Sequence, residues 1–150
     1  MKIRPATVKD VKAIHTLINH FAQKREMLAR PLSEIYENIP EFMVAEEKGK
    51  IAGCCALHVA WEDLSEVKAL AVDDKFHKKG LGTKLVSACH KISKRLGVNR
   101  VFCLTFVPGF FERLGYKKIA REELPHKIWG ECVRCPFFPD CGEVPLARNI

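Results

Sequence analysis

The stretch Glu66-Val67-Lys68-Ala69-Leu70-Ala71-Val72, followed after a short polar loop by His77-Lys78-Lys79-Gly80-Leu81-Gly82-Thr83, sets the order of the elements around it. The first run is apolar and typical of a β-strand. The second opens a long helix whose apolar residues share one face: Leu81, Leu85, Cys89, Ile92 and Leu96. The N–H groups of a glycine loop and the positive end of a helix dipole point at one place. The arrangement therefore predicts a site for a phosphate-bearing ligand.

Length and charge limit the classes of protein to which the chain can belong. Its 150 residues favour one domain over residues 1–150, with a full core. The net charge is +7, and a solvated helix face or a small polyanionic ligand would each explain the basic residues on the loop and its helix: Lys78, Lys79, Lys84, Lys91, Lys94, Arg95 and Arg100. There is no basic tail and no aromatic-plus-basic pattern of the RNA-binding kind, so no nucleic-acid partner is expected.

Localisation is judged from the apolar runs. None approaches the ~20 residues that span a membrane, so no membrane partner is expected. Residues 1–5 lack the apolar core of a secretory signal, and a cytoplasmic setting is the expectation. A homodimer is compatible with the sequence, which does not determine the oligomeric state.

Two helices are predicted before the central stretch. Thr7 and Asp10 resemble a capping box, which predicts a helix from Val8 onward. Ser33 predicts the cap of a short second helix that Pro40 closes.

Five runs predict β-strands: residues 1–4, 42–46, 51–59, 66–72 and 101–105, with a shorter strand at 116–119. The second, third and fourth of these predict an antiparallel meander, with residues 51–59 buried on both faces. A short helix is expected from Pro108 to Gly115. Residues 121–150 lose periodicity and are predicted to form an irregular, cysteine-containing tail packed on the domain.

The glycine spacing in residues 77–83 excludes two common phosphate loops. No Gly-Lys-Ser/Thr follows as in a nucleotide P-loop, and Leu85 occupies the third glycine position of a dinucleotide fingerprint. Further along comes Gly109-Phe110-Phe111-Glu112-Arg113-Leu114-Gly115-Tyr116. The combination resembles the GNAT superfamily of acetyl-CoA-dependent N-acetyltransferases, over residues 1 to about 120. His77 departs from the Gln or Arg that usually opens the family's loop.

The resemblance implies the GNAT fold, an α/β fold of the α+β type with a central mixed, mostly antiparallel sheet flanked by helices. It implies acetyl-CoA as co-substrate, bound by the strand end and the loop: Leu70, Ala71, Val72, His77, Lys78, Lys79, Gly80, Leu81, Gly82 and Thr83. By the same likeness, the N–H of Val72 would lie near the acetyl carbonyl and stabilise the oxyanion.

The chemistry also needs an amine that has lost its proton. Glu66 stands six residues before Val72, where several family members carry a base, so the resemblance implies a catalytic carboxylate there. An exposed strand residue is the alternative reading. The tyrosine that commonly protonates the leaving thiolate corresponds to Phe111, which has no proton to give. Tyr116 is expected in the core.

Within the superfamily the chain is similar to the acetyltransferase domain of bacterial N-acetylglutamate synthases, in the short form without an amino-acid-kinase domain. The likeness lies in short motifs: residues 4–7, residues 51–57, Glu66 with Ala71-Val72, Leu124-Pro125 and the missing tyrosine. It implies L-glutamate as acceptor and Arg30 as a substrate-binding cation, for which a solvated loop arginine is the alternative. Other readings are a different small amine or protein N-terminus as acceptor, or a non-catalytic CoA-binding regulatory protein.

The seven cysteines divide into two groups. Cys54, Cys55, Cys89 and Cys103 lie in apolar runs and are expected to be reduced core residues. Cys132, Cys135 and Cys141 form a compact cluster near the C-terminus. They could hold a structural zinc ion, form a disulfide or remain free thiols.

Overall fold

The computed structural model describes residues 1–124 and 143–150. The strands of this part are β1 (Lys2–Pro5), β2 (Phe42–Glu47), β3 (Lys50–Trp61), β4 (Leu64–Val72), β5 (Arg100–Thr105), β6 (Lys117–Lys118) and β7 (Val144–Asn149). Its α-helices are α1 (Val11–Gln23), α2 (Leu32–Glu37), α3 (Leu81–Arg95) and α4 (Pro108–Arg113). No helix among these residues combines the length and the apolar character of a membrane span.

The strands form one sheet in the order β1-β2-β3-β4-β5-β7-β6. Only β4 and β5 pair in parallel within the described chain, and every other neighbouring pair is antiparallel. The predicted meander is β2-β3-β4, and its first hairpin turns at Lys48 and Gly49, both with positive φ, as a tight type I′ turn requires. The predicted GNAT fold class, a mixed and mostly antiparallel sheet with helices, is confirmed.

Side chains alternate between the two faces of a sheet along each strand, so one strand contributes to two cores. Helices cover both faces of this sheet. On one side Cys55, Leu57 and Val67 pack with α3; this is called the α3 face. On the other, Cys54 and Ala56 pack with α1 and α2; this is called the α1 face. Residues 52–57 are all buried, as predicted for a strand covered on both sides, but the prediction is wrong at the end of the run, where Val59 is exposed.

The first helix begins near the predicted place. A short 3-10 turn over Val8–Asp10 leads into α1, and the backbone N–H of Thr7 donates to Asp10 Oδ2 at 2.8 Å. The same carboxylate accepts from Arg4 Nη1 at 2.8 Å. Hydrogen bonding to Arg4 lowers the pKa of Asp10 to about 2, so the carboxylate stays ionised and ties β1 to the start of α1.

Two predicted boundaries are wrong. α2 begins at Leu32 after Pro31, so Ser33 lies inside the helix and does not cap it. Residues 144–149, predicted as part of an irregular tail, form β7 between β5 and β6. Pro145 lowers the strand propensity of this run, but Leu146 and Ala147 are buried there, and pairing with distant strands outweighs local preference.

His90 on α3 gives a prediction about stability. Burial is the largest cause that lowers its pKa to about 4, below the ~6.5 of a free imidazole. Protonation therefore favours the unfolded chain, and stability contributed by neutral His90 is lost as pH falls from ~6.5 towards ~4. We expect the melting temperature of wild-type protein to drop more over this window than that of His90→Gln, measured by circular dichroism. His15→Gln on α1 is the matched control, and equal drops in wild type and His90→Gln would contradict the prediction.

Candidate functional site

The sheet opens between β4 and β5. The two strands pair only at Ser65–Val101 and Glu66–Phe102 in the described part of the chain. Beyond Glu66, β4 continues to Val72, and among the described residues this part of β4 pairs only with β3, along its other edge. The edge of β4 that faces the opening is therefore available to bind an extended ligand through backbone hydrogen bonds.

The amides that face this opening follow from the alternation of the strand. The N–H of Asp73 donates to Ala52 O on β3 at 2.8 Å, so the N–H groups of Val72 and Leu70 point the other way, toward the gap. Ala69 has a φ of +55°, and the register with β3 shifts at this point. This β-bulge was not predicted, because nothing distinguishes Ala69 in sequence from an ordinary strand alanine.

The glycine loop lies next to the end of β4. Lys78 and Gly80 have φ values of +64° and +77°, and α3 begins at Leu81. Its first turn contains no acidic residue, so the helix N-terminus keeps its positive potential. A Cβ on Gly82 would lie 3.1 Å from Phe110 Cζ, so α4 packs closely against the first turn of α3 here. The predicted order of strand, glycine loop and helix N-terminus is present.

A cleft of about 650 Å³ joins the strand end to the loop. It is lined by most of the residues predicted to bind the co-substrate: Leu70, Ala71, Val72, His77, Lys78, Gly80, Leu81, Gly82 and Thr83. Lys79 does not line it, and its ammonium group lies over the Phe76 ring. The sequence analysis missed the walls contributed by the end of α1 and by α4, namely Phe21, Glu26, Met27, Val107, Phe110 and Arg113. Sequence spacing carries no signal for residues that only folding brings together.

His77 joins the loop to the strand. Its Nε2–H donates to the carbonyl oxygen of Val72 at 2.7 Å, and its ring stacks on Phe21 at 5.8 Å. Asp74 accepts a hydrogen bond from His20 Nε2 at 2.8 Å, which lowers the pKa of Asp74. These contacts hold the end of α1 against the mouth of the cleft.

Glu66 is not the exposed strand residue of the alternative reading, since it is only 7% exposed. It lies opposite His58 in the β3–β4 register. His58 follows Cys54 and Ala56 by even steps along β3, so His58 and Glu66 both lie on the α1 face. Lys68, two residues after Glu66 and opposite Ala56, belongs to the same face and was missed although the alternation alone could have placed it.

Arg30 also lies on the α1 face, since Met27 before it and Leu32 after it pack against the core of that face. Arg30 Nη1 donates to Glu34 Oε1 at 2.8 Å. Its Nε is buried and has no hydrogen-bond partner among the described residues. A planar guanidinium with an unused donor is suited to a carboxylate ligand.

Neither tyrosine of the chain lines the cleft. Tyr116 is buried in the core as predicted, its hydroxyl 2.6 Å from His90 Nε2, and burial raises its pKa. Tyr36 lies on the surface of α2. Phe111 is buried, and Phe110 beside it faces the cleft instead. The phenol that usually acts as general acid is therefore absent from the lining of this cleft.

The cysteines predicted for the core are there. Cys54, Cys55, Cys89 and Cys103 are buried free thiols, and burial raises the pKa of Cys54 and Cys103, which makes them unreactive. Cys132, Cys135 and Cys141, for which zinc, a disulfide and free thiols were all considered, lie outside the described residues.

The loop conformation gives a second prediction. Alanine at Gly80 would adopt a left-handed φ at a cost of ~1 kcal/mol or more, although no atom would clash with its Cβ. We expect Gly80→Ala to lose stability. A loop that shifts to relieve ~1 kcal/mol of strain should also raise the KM for acetyl-CoA about fivefold. Gly97→Ala, at the far end of α3 with a φ of +86° and equally open space, is the matched control. It should lose similar stability in thermal unfolding with no change in KM; an equal KM for both variants would contradict the prediction.

Comparison with known proteins places these features in context. Residues 38–118 match the family described as acetyltransferase (GNAT) domain. An uncharacterized N-acetyltransferase of Chlorobaculum tepidum is 38% identical over 148 residues, which is 99% of this chain and 96% of that protein. An amino-acid acetyltransferase of Mycobacterium tuberculosis is 37% identical over 88% of this chain and 77% of its own length.

A solved structure has the same fold with ligands bound. The N-acetylglutamate synthase of Neisseria gonorrhoeae, complexed with coenzyme A and N-acetyl-glutamate, superimposes with a TM-score of 0.91 and 25% identity. The match covers 99% of this chain and 34% of that chain.

Proposed function

Because this chain belongs to the GNAT family of acetyl-CoA-dependent N-acetyltransferases, we propose that it acetylates the α-amino group of L-glutamate by direct attack in a ternary complex. The observation that carries the choice of acceptor is Arg30, whose guanidinium lies on the same face of the sheet as Glu66 and keeps a buried, unused donor. The proposal includes a cytoplasmic setting and the first step of arginine biosynthesis.

The cleft suits the co-substrate. Coenzyme A carries a pyrophosphate, which fits the amides of residues 78–82 and the N-terminus of α3. The free edge of β4 would hold the pantetheine arm as an added strand, through the backbone of Leu70 and Val72. Phe21 at the end of α1 and Phe110 on α4 line its apolar sides.

The strand edge would also supply the oxyanion donor. The N–H groups of Val72 and Leu70 both face the opening, and either could donate to the acetyl oxygen as negative charge develops there. Leu70 is four residues from Glu66 and Val72 is six, which corresponds to roughly 13 Å and 20 Å of extended strand. The amide of Leu70, directly after the bulge, is therefore nearer to the carboxylate that prepares the amine.

Glu66 would take the proton from the ammonium group of the acceptor, directly or through one water. The free amine then forms the new C–N bond while the C–S bond breaks. Without a tyrosine in the cleft lining, the proton for the departing thiolate comes from water or the thiolate leaves unprotonated.

Two cations on the α1 face support a dicarboxylate as the acceptor. Arg30 could release Glu34 and form paired hydrogen bonds with one carboxylate of the substrate. Lys68, half-buried beside Glu66, is placed to attract the other.

The test is acetyl-CoA turnover, measured as thiol release, with glutamate, aspartate, glutamine, lysine, a polyamine and a peptide N-terminus as acceptors. Glutamate-dependent release well above the others supports the proposal. Turnover with glutamine but not glutamate would indicate that the acceptor is a neutral amino acid. Tight binding of coenzyme A without turnover for any amine would overturn the enzymatic proposal and favour the regulatory alternative.

A further inference from the structure

We propose that His58, held by Glu41, is a proton-relay residue that carries the proton from Glu66 to bulk water. This inference rests on the proposed acetyl transfer, in which the acceptor's ammonium group gives one proton to the buried carboxylate of Glu66. Glu66 is 7% exposed, so a carboxylate that has taken this proton needs a path to release it before the next turnover.

The pair formed by His58 and Glu41 has the geometry of an oriented base. His58 Nδ1 lies 2.6 Å from Glu41 Oε2. A carboxylate only accepts, so Nδ1 carries the proton and Nε2 of the neutral ring is the acceptor.

The second oxygen of Glu41 gives independent support. Glu41 Oε1 is buried and has no hydrogen-bond partner among the described residues. A buried carboxylate oxygen without a donor is costly, by about 1–3 kcal/mol for a neutral group and more for a charged one. A donor that approaches this oxygen, such as a water beside the pair, would offset that cost.

The position of the pair connects the buried carboxylate to the surface. His58 and Glu66 are direct cross-strand neighbours on the α1 face, where Cβ atoms lie about 4.5–5.5 Å apart. The His58 side chain is 31% exposed, against 7% for Glu66. In the described chain, the charged groups placed against His58 are Glu41 from the turn before β2, Glu66 opposite it, and Lys68 diagonally across on β4.

Over one turnover, Glu66 and His58 each gain and lose one proton. The ammonium group loses one proton to Glu66, Glu66 passes it to His58 Nε2 directly or through one water, and the imidazolium releases it to solvent. Glu41 keeps its hydrogen bond to Nδ1–H throughout. Both side chains then return to their starting states.

The experiment compares wild type, His58→Gln and Glu41→Gln in thiol release, in dilute buffer and with added imidazole. We expect His58→Gln to lower kcat about tenfold in dilute buffer and to leave the KM for acetyl-CoA unchanged. This loss of kcat is smaller than that expected for removal of the general base itself. Imidazole should restore most of that rate, since a free base can replace the relay. Glu41→Gln should show a smaller loss and also respond to imidazole. His15→Gln removes a histidine on α1, outside this pair, and should behave as wild type with and without imidazole.

Equal kcat for wild type and His58→Gln in dilute buffer would overturn the relay and leave the proposed function intact. A loss in His58→Gln that imidazole does not restore would also overturn it, because that is the behaviour of a structural residue. Should His58→Gln fold poorly by circular dichroism, the imidazole response of Glu41→Gln decides in its place. If wild type acetylates another amine, the same comparison is run with that amine, and no turnover with any amine overturns both proposals.

Discussion

Glutamine in place of Glu66 is expected to lower kcat for acetyl transfer by about 10²- to 10³-fold near neutral pH, within the range for loss of a general base. The amine of the acceptor is mostly protonated there, and Glu66 is the carboxylate at the closed end of the β4–β5 opening. The substitution conserves size in a position only 7% exposed, so the loss should come from chemistry and not from packing.

The measurement is the pH dependence of kcat for wild type and Glu66→Gln, with saturating acetyl-CoA. The deficit should shrink as pH rises above ~9, because hydroxide and solvent then supply the free amine without the carboxylate. Glu62→Gln, on the exposed β3–β4 turn, is the control and should keep the wild-type rate. A kcat of Glu66→Gln equal to wild type at neutral pH would remove Glu66 as the base.

Alanine in place of Arg30 is expected to raise the KM for glutamate by about 10- to 100-fold, from the ~1.5–3 kcal/mol of a hydrogen bond to a charged group. The KM for acetyl-CoA should stay unchanged, because Arg30 does not line the cleft. Arg30→Lys should recover only part of the affinity, since an ammonium group cannot form the paired hydrogen bonds of a guanidinium. Steady-state kinetics with each substrate varied in turn separates the two constants.

Arg95→Ala, at an exposed position on the last turn of α3, is the matched control for loss of one positive charge. Glu34→Gln is the informative companion, because it removes the residue that holds Arg30 in the absence of substrate. Its KM for glutamate should fall or stay equal. A KM for glutamate that Arg30→Ala leaves unchanged would place the substrate carboxylate elsewhere.

Local sequence predicted the features that depend on local physics. The burial of β3 on both faces, the amphipathic pattern of α3 and the glycine loop at its start each follow from the residues themselves. The bulge at Ala69 and the strand at Val144–Asn149 were missed, because pairing with distant strands decides them against weak local preference.

The candidate site divides in the same way. The half that would bind phosphate is a continuous run of strand, loop and helix, so the loop could be located from local sequence. The half that would bind the acceptor is assembled from Arg30, Glu41, His58, Glu66 and Lys68, which are separated along the chain. Of these, sequence reasoning named Glu66 and Arg30, and only through resemblance to a family.

By itself, therefore, the sequence determined the run of strand, glycine loop and helix, because backbone geometry at glycine and the dipole of a helix are local properties. The class of fold followed from its resemblance to a family. The tertiary structure decided which edge of β4 is open, which face carries Glu66, and that His58 and Glu41 lie beside it. These depend on strand register and on the separation of β4 from β5, and register is set by contacts between residues far apart in the chain.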